Sequence, residues 1–324
     1  MPSSSRGRDG YAREAQTDRQ RVCFRGWTDG RASCRVANVR ENTLVCRYEP
    51  PYAWEPMLDW LRRRAIPGVE RVDGERYSRT FELRGERGVV AVEPVAPGAL
   101  QVTVRGASEN VLPDIEARVR RVFDLDADVA AIGAHLARDR LLSPLVAQRP
   151  GLRVPGAWTG FELAIRAVLG QQISVAAARN LAGRLVERCG AKLSAAELTH
   201  VFPAAQAVAS ADLSSFGVPK SRAATLIAVA RAELDDPMLF SATDELTAAV
   251  TKLRAIRGVG EWTAQYIALR QLRLRDAFPA TDLGILKGAA KLLGGEISPR
   301  ELVVRAERWR PWRAYAAQYL WSVS

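Results

Sequence analysis

Two glycines one residue apart, Gly258 and Gly260, interrupt an otherwise helical stretch and limit what the C-terminal half of this chain can become. Ahead of them Leu246, Val250, Leu253 and Ile256 recur at steps of three and four, the period of an amphipathic helix. Behind them a second helix begins at once, carrying Trp262, Tyr266, Ile267 and Leu269. The run Arg257-Gly258-Val259-Gly260 permits positive φ and leaves backbone N–H groups uncovered. Those amides stand at the N-terminus of the second helix, where the helix dipole favours an anion such as a phosphate. The stretch therefore predicts a helix–hairpin–helix. Gly-Val-Gly between helices is equally compatible with an ordinary αα-turn.

The residues that follow bear on that choice. Past Arg270, Arg273 and Arg275 the chain reads Phe278-Pro279-Ala280-Thr281-Asp282 and then re-enters an apolar periodic segment. Pro279 ends any helix before it. Asp282 falls at the N-cap position ahead of Leu283, Ile285 and Leu286. Capping is the commonest reason for an Asp there. The other reading is chemical, because a carboxylate at a helix N-terminus suits a cationic transition state.

Taken in order, the chain divides into three. Residues 1–43 are rich in Ser, Arg, Asp and Gly, with nine Arg against five acidic residues up to 42, and are expected to be a disordered basic tail. Residues 44–122 mix periods. LVCRY, RYSRTFELRG, GVVAVEP and ALQVTV alternate as strands, whereas 54–64 and 110–122 step as helices. This predicts a small antiparallel α/β domain with no catalytic constellation. From 123 to 324 glycine and proline punctuate helices, expected at 161–169, 175–189, 204–209, 220–234 and 243–256, and strand signals fade. The fold class is thus α+β, a small N-terminal sheet domain followed by an all-α core. LSSFGVPKSR at 213–222 is a second glycine-containing interhelical turn that could touch a phosphate backbone or merely connect. Both His135 and His200 lie outside any motif.

Composition narrows the partner. A net charge of +11 suits a polyanion, although Arg-rich chains also arise from base composition alone. Four cysteines without a CxxC pair argue against a zinc ribbon, an iron–sulfur cluster or a disulfide framework and fit a reducing cytoplasm. No apolar run reaches membrane-spanning length, and the N-terminus has no apolar core of a leader.

LRAIRGVGEWTAQYIALR followed by FPATD resembles the helix-hairpin-helix, Gly/Pro-rich, Asp superfamily of DNA glycosylases. Within it the resemblance is to the AlkA type, DNA-3-methyladenine glycosylase II. Four further stretches agree in order: PPYAWEPML at 50–58, RPGLRVPGAW at 149–158, RAVLGQQIS at 166–174 and AERWRPWRAYAAQYLW at 306–321. The resemblance runs from about residue 44 to the C-terminus and leaves the first 43 residues out. It implies a monomeric, monofunctional base excision repair enzyme that flips alkylated bases of the 3-methyladenine and 7-methylguanine type out of double-stranded DNA, in the cytoplasm at the nucleoid. It implies Asp282 as the catalytic carboxylate and Gly258, Val259, Gly260 and Thr263 as the phosphate-binding hairpin. The base pocket falls to Trp262, Tyr266, Trp321 and Gln171, and the duplex wedge to Gln172. No cofactor or catalytic metal is implied; a structural monovalent cation at the hairpin is. The N-terminal domain becomes a scaffold.

The residues themselves carry part of this. Trp262 and Tyr266 are four apart and share a helix face, where aromatics serve either as core or as a cation–π platform for a cationic base. Gln171 and Gln172 suit helix capping as well as insertion into a duplex. A non-catalytic DNA-binding protein would need only the hairpin. The resemblance implies that a lyase member of the superfamily would carry a Lys two residues past Gly260, and that position is Trp262, an indole that forms no imine.

Overall fold

The computed structural model describes residues 16–28, 31–195, 198–243 and 245–324. Six strands come first: β1 (Gln16–Thr28), β2 (Arg31–Arg47), β3 (Glu70–Asp73), β4 (Arg76–Leu83), β5 (Glu86–Ala96) and β6 (Ala99–Arg105). They form one antiparallel sheet in the order β1-β2-β6-β5-β4-β3. The β4–β5 hairpin turns on two left-handed residues, Arg84 and Gly85, the backbone twist that a two-residue connection between antiparallel strands requires. Between β2 and β3 lies α1 (Trp54–Arg64), which buries Met57, Leu58, Trp60 and Leu61 and ends in Arg62-Arg63-Arg64, cations that suit its negative end. After β6, α2 (Leu112–Phe123) lays Ile115, Val119, Val122 and Phe123 against Val90, Val92, Val102 and Val104 of the sheet. Period-two strands thus present one apolar face to one amphipathic helix, and a core closes.

The basic tail expected over 1–43 is corrected where the chain is described. Residues 16–28 and 31–43 run as strand, with Gln16 opposite Thr43 and Arg19 opposite Arg40. The strand ladder is backbone to backbone, so a polar composition does not forbid it once β2 is already held against β6 through Thr43–Thr103 and Cys46–Leu100. The remainder of that call, residues 1–15 and 29–30, lies outside the described residues.

The helical part comprises α3 (Val129–Leu136), α4 (Ser143–Gln148), α5 (Gly160–Leu169), α6 (Val175–Cys189), α7 (Ala205–Ala209), α8 (Lys220–Asp235), α9 (Leu246–Arg254), α10 (Glu261–Arg270), α11 (Leu283–Leu293), α12 (Pro299–Ala306) and α13 (Arg313–Trp321). Its starts are chemically marked. Thr159 and Ser174 cap α5 and α6 by accepting from Glu162 N and Ala177 N, and Ser298 with Glu301 forms a reciprocal capping box on α12. Strand signals do not wholly fade here: β7 (Lys192–Ala195) and β8 (Leu198–His200) form a small hairpin. It docks on the first domain, because Thr199 N and His200 N both donate to Gly68 O at 2.8 and 3.1 Å and Thr80 Oγ1 donates to His200 O at 2.8 Å. None of the described helices is long and apolar enough to cross a membrane.

The seam between the two parts is charged and largely buried. Arg79 of β4 meets Glu162 of α5 at 2.7 Å, and Arg166 of α5 meets Glu70 of β3 at 2.8 Å and Glu162 at 3.0 Å. Tyr77 Oη donates to Glu70 at 2.7 Å. Burial alone would raise the Glu70 carboxyl, but Arg166 and Arg79 draw it below its usual value. Arg79 shows the converse: burial opposes its charge, and Glu162 together with Glu70 holds the proton on. Such a network fixes one arrangement of two bodies, since every misaligned arrangement leaves a buried charge alone.

Candidate active site

A cleft of about 1160 Å³ opens at this seam. Its walls come from α1, α5, the turn before α6, α10, the start of α11 and the end of α13. Of the sequence-predicted residues, Asp282, Trp262, Tyr266, Trp321, Gln171, Gln172, Gly258, Gly260 and Thr263 all line it. Val259 does not: its side chain is buried in the helical core and anchors the turn from behind.

Asp282 caps α11 and does more than cap. Its Oδ1 accepts from Gly284 N at 2.8 Å, Ile285 N at 3.0 Å and Trp321 Nε1 at 2.8 Å. Its Oδ2 accepts from Trp262 Nε1 at 2.8 Å and from no other described residue. A carboxylate offers about four lone-pair sites, so Oδ2 keeps acceptor capacity free while Oδ1 is saturated. Two indoles from helices far apart in sequence thereby aim one oxygen into the cleft. Gly284 makes room for this: a Cβ there would lie 2.9 Å from Trp321 Cδ1.

The aromatic groups form one chain. Trp262 and Tyr266 stack at 5.3 Å with planes 14° apart, Trp321 meets the Tyr266 ring edge-on at 6.1 Å, and Trp60 meets Trp321 at 5.4 Å. Arg270 donates to Tyr266 Oη and lies over its ring. Burial would raise the Tyr266 phenol, yet Arg270 and Arg64 outweigh it and bring it below its ordinary value. Sequence reasoning missed Trp60 and Arg64. Both sit on α1 of the domain read as a scaffold, and both line the cleft, with the Arg64 guanidinium 3.5 Å from the centre of the Trp60 ring. In sequence Trp60 shares its helical spacing with Met57 and Leu61, the pattern of an ordinary core face, so no signal was there to find.

The hairpin between α9 and α10 has the expected shape. Val259 N closes the turn onto Ile256 O at 3.0 Å, and Gly258 sits at φ +87° with the Thr225 side chain where a Cβ would be. Gly260 faces open space. The N–H groups of Gly260, Glu261 and Trp262 donate to no acceptor among the described residues, as a helix start awaiting an anion requires. Thr263 contributes no free hydroxyl, because it is buried and its Oγ1 accepts from Gln171 Nε2 at 3.2 Å. The capping role open to Gln171 and Gln172 belongs to Ser174. Gln172 is exposed, makes no hydrogen bond to a described residue and holds φ at +59°, a conformation that branched or bulky side chains avoid. No lysine lines the cleft among the described residues, and no group of three metal-binding side chains occurs among them.

Both parts of the chain match known families. Residues 43–159 match the AlkA N-terminal domain, and residues 165–314 match the HhH-GPD superfamily base excision DNA repair protein. The chain is 35% identical over 278 residues to the DNA-3-methyladenine glycosylase 2 of Escherichia coli K12, covering 85% of this chain and 95% of that one. It is 40% identical over 303 residues to the probable bifunctional transcriptional activator/DNA repair enzyme AlkA of Mycobacterium tuberculosis, covering 93% of this chain but spanning only 61% of that relative. Among solved structures, a 3-methyladenine DNA-glycosylase from Archaeoglobus fulgidus superposes with a TM-score of 0.76 at 22% identity, over 86% of this chain and 96% of the other.

Proposed function

We propose that this chain, which belongs to the DNA-3-methyladenine glycosylase 2 family within the HhH-GPD base excision repair superfamily, excises alkylated bases from double-stranded DNA by hydrolysis. The observation that carries the reading is Asp282: a carboxylate fixed by four donors, with acceptor capacity left on Oδ2, in an aromatic cleft beside uncovered helix-terminal amides.

Each part then has a task. The open amides of the hairpin take a backbone phosphate, and Gln172 enters the duplex where a base leaves. Extrusion costs a few kcal/mol of stacking and pairing, least for damaged bases. The extruded base packs against the aromatic chain, where a base made cationic by alkylation gains cation–π attraction that a normal base lacks. Such a base is already a good leaving group. What remains is an oxocarbenium-like sugar, which the Asp282 charge stabilises, and a water that the remaining lone pair of Oδ2 orients. The amine that lyases of the superfamily use is replaced by Trp262, so the reaction ends at an intact abasic strand. No catalytic metal or organic cofactor enters the scheme. A monovalent cation at the hairpin would be structural, and turn carbonyls such as those of Ile256 and Gly260, each accepting one backbone bond, retain a second lone pair for it. We take the working unit to be a monomer in the cytoplasm, at the nucleoid.

The test is incubation with alkylated duplex DNA and identification of released bases, comparing wild type with Asp282→Asn. Asn still caps α11, so the variant should fold and bind DNA while base release falls by at least about a hundredfold, the scale of losing a transition-state electrostatic partner. Borohydride should trap no adduct with either protein. Release within a few-fold of wild type would reduce Asp282 to a cap, and a stoichiometric adduct would overturn the monofunctional assignment.

A further inference from the structure

Three loops that are distant in sequence converge behind the wedge. The turn at 170–174 carries Gln171, whose Nε2 donates to Thr263 Oγ1 at 3.2 Å and lies 3.4 Å from Gly258 O, both groups of the hairpin. The Gln171 carbonyl accepts from Arg222 Nη2 of α8 at 2.6 Å. One turn further along α8, Thr225 fills the space beside Gly258, its Oγ1 only 1.9 Å from where a Cβ would stand. The hairpin, the start of α8 and the turn before α6 thus close a triangle. Gln172, the next residue, projects from one corner in a left-handed conformation with no partner among the described residues.

We propose that Gln171 is a positioning residue that registers the duplex-opening turn to the phosphate-gripping hairpin. The proposal rests on the function argued above. It commits the Nε2 donor of Gln171 to the hairpin rather than to a base edge, leaving only Oε1 to face the cleft. Thr263 is 2% exposed, so water cannot readily replace Gln171 as its partner. A wedge opens a duplex only if it does not recoil, and the force it exerts on the base stack must be returned to the strand through something stiff. The Gln171 bridge supplies that path: the grip on phosphate and the depth of Gln172 become one coordinate. The Arg222 contact holds the same turn from the other side, which gives the 213–222 segment a role that is neither phosphate contact nor plain connection.

The discriminating experiment measures single-turnover release of 7-methylguanine from two substrates, one with the lesion paired in a duplex and one with it in an unpaired bubble of the same duplex. Gln171→Ala should slow release from the paired lesion by about tenfold, the scale of a lost buried hydrogen bond. It should leave the bubble within about twofold, and affinity for undamaged duplex unchanged, since the hairpin amides themselves are intact. Gln171→Met keeps the length without the donor and should behave alike if the alanine variant folds poorly. Thr263→Val should show a paired-only loss no larger than that of Gln171→Ala, since the contact to Gly258 O remains, and the double variant should be no slower than Gln171→Ala alone. Equal losses on paired and bubble lesions would place Gln171 in base binding or chemistry and overturn the proposal, and so would no loss on the paired lesion. Failure of the wild-type protein to release base from either substrate would instead overturn the proposed function.

Discussion

Trp262 does two things with one ring. Its face stacks on Tyr266, and its N–H ends on Asp282. Trp321 repeats the division, with its N–H on the other carboxylate oxygen. Phenylalanine at either place keeps an aromatic face and removes the donor. Trp321→Phe should therefore lower kcat by about tenfold, the cost of one hydrogen bond to a charged group, while KM for damaged DNA holds within about twofold. A rise in KM with kcat unchanged would mean the ring serves base stacking alone. Glu233 poses a different test. Burial, with Asp236 adding to it, pushes its carboxyl from 4.5 to about 7, and one of its oxygens is buried without a partner. The folded chain then holds this proton more tightly than the unfolded chain between pH 4.5 and about 7. Its contribution to stability is fully present below 4.5 and is lost as pH rises through 7. Thermal melts of Glu233→Gln should lose less stability than wild type between pH 5 and pH 8, values chosen to bracket roughly that window. At this scale the sequence was informative where chemistry demands a residue type at a spacing, as at Asp282 and Trp262. It was silent where a side chain's role depends on what folds over it, as with Trp60 and Glu233.

The hairpin shows what an element adds to its residues. Gly258 and Gly260 read alike in sequence but answer to different constraints. Gly258 has positive φ and no room beside Thr225, whereas Gly260 has extended φ and open space. Gly258→Ala should destabilise the fold by at least about 1–3 kcal/mol from backbone strain alone, seen as a lower Tm. Gly260→Asp should melt like wild type yet weaken damaged and undamaged DNA alike, because its carboxylate would stand where a phosphate is held. A Gly260→Asp variant that changed lesion choice instead would remove the hairpin from phosphate binding. Helix positions were legible from period and caps, and α6 spans the residues its pattern marks, 175–189. The short β7–β8 hairpin was not legible, since its pairing is justified by docking on Gly68 and Thr80 rather than by its own sequence. The strand over 16–28 escaped notice because it pairs with the neighbouring 31–43 through backbone bonds, which a polar composition does not advertise.

At the scale of the whole molecule the two parts are joined by Glu70, Arg79, Glu162 and Arg166 rather than by apolar area alone. Glu162→Gln should cost about 1–3 kcal/mol in urea unfolding, because buried Arg79 would lose its 2.7 Å partner and keep only Glu70 at 3.7 Å, while Arg166 stays paired with Glu70. It should also slow base release, since the same residues hold the cleft walls in register. Unchanged stability would show that the seam relaxes to admit water. Neither partner of this network stood out in sequence, for a lone Arg in a strand and a Glu one turn into a helix look like solvated surface. The cleft that straddles the seam has a hereditary consequence. Asp282 and the hairpin belong to one domain, while Trp60 and Arg64, which complete the wall, belong to the other. A recombination event that exchanged only the N-terminal domain between two relatives would thus leave the catalytic machinery untouched and hand the enzyme a different wall. The shape of the cleft would then change through the smaller part of the gene, which carries none of the proposed catalytic residues.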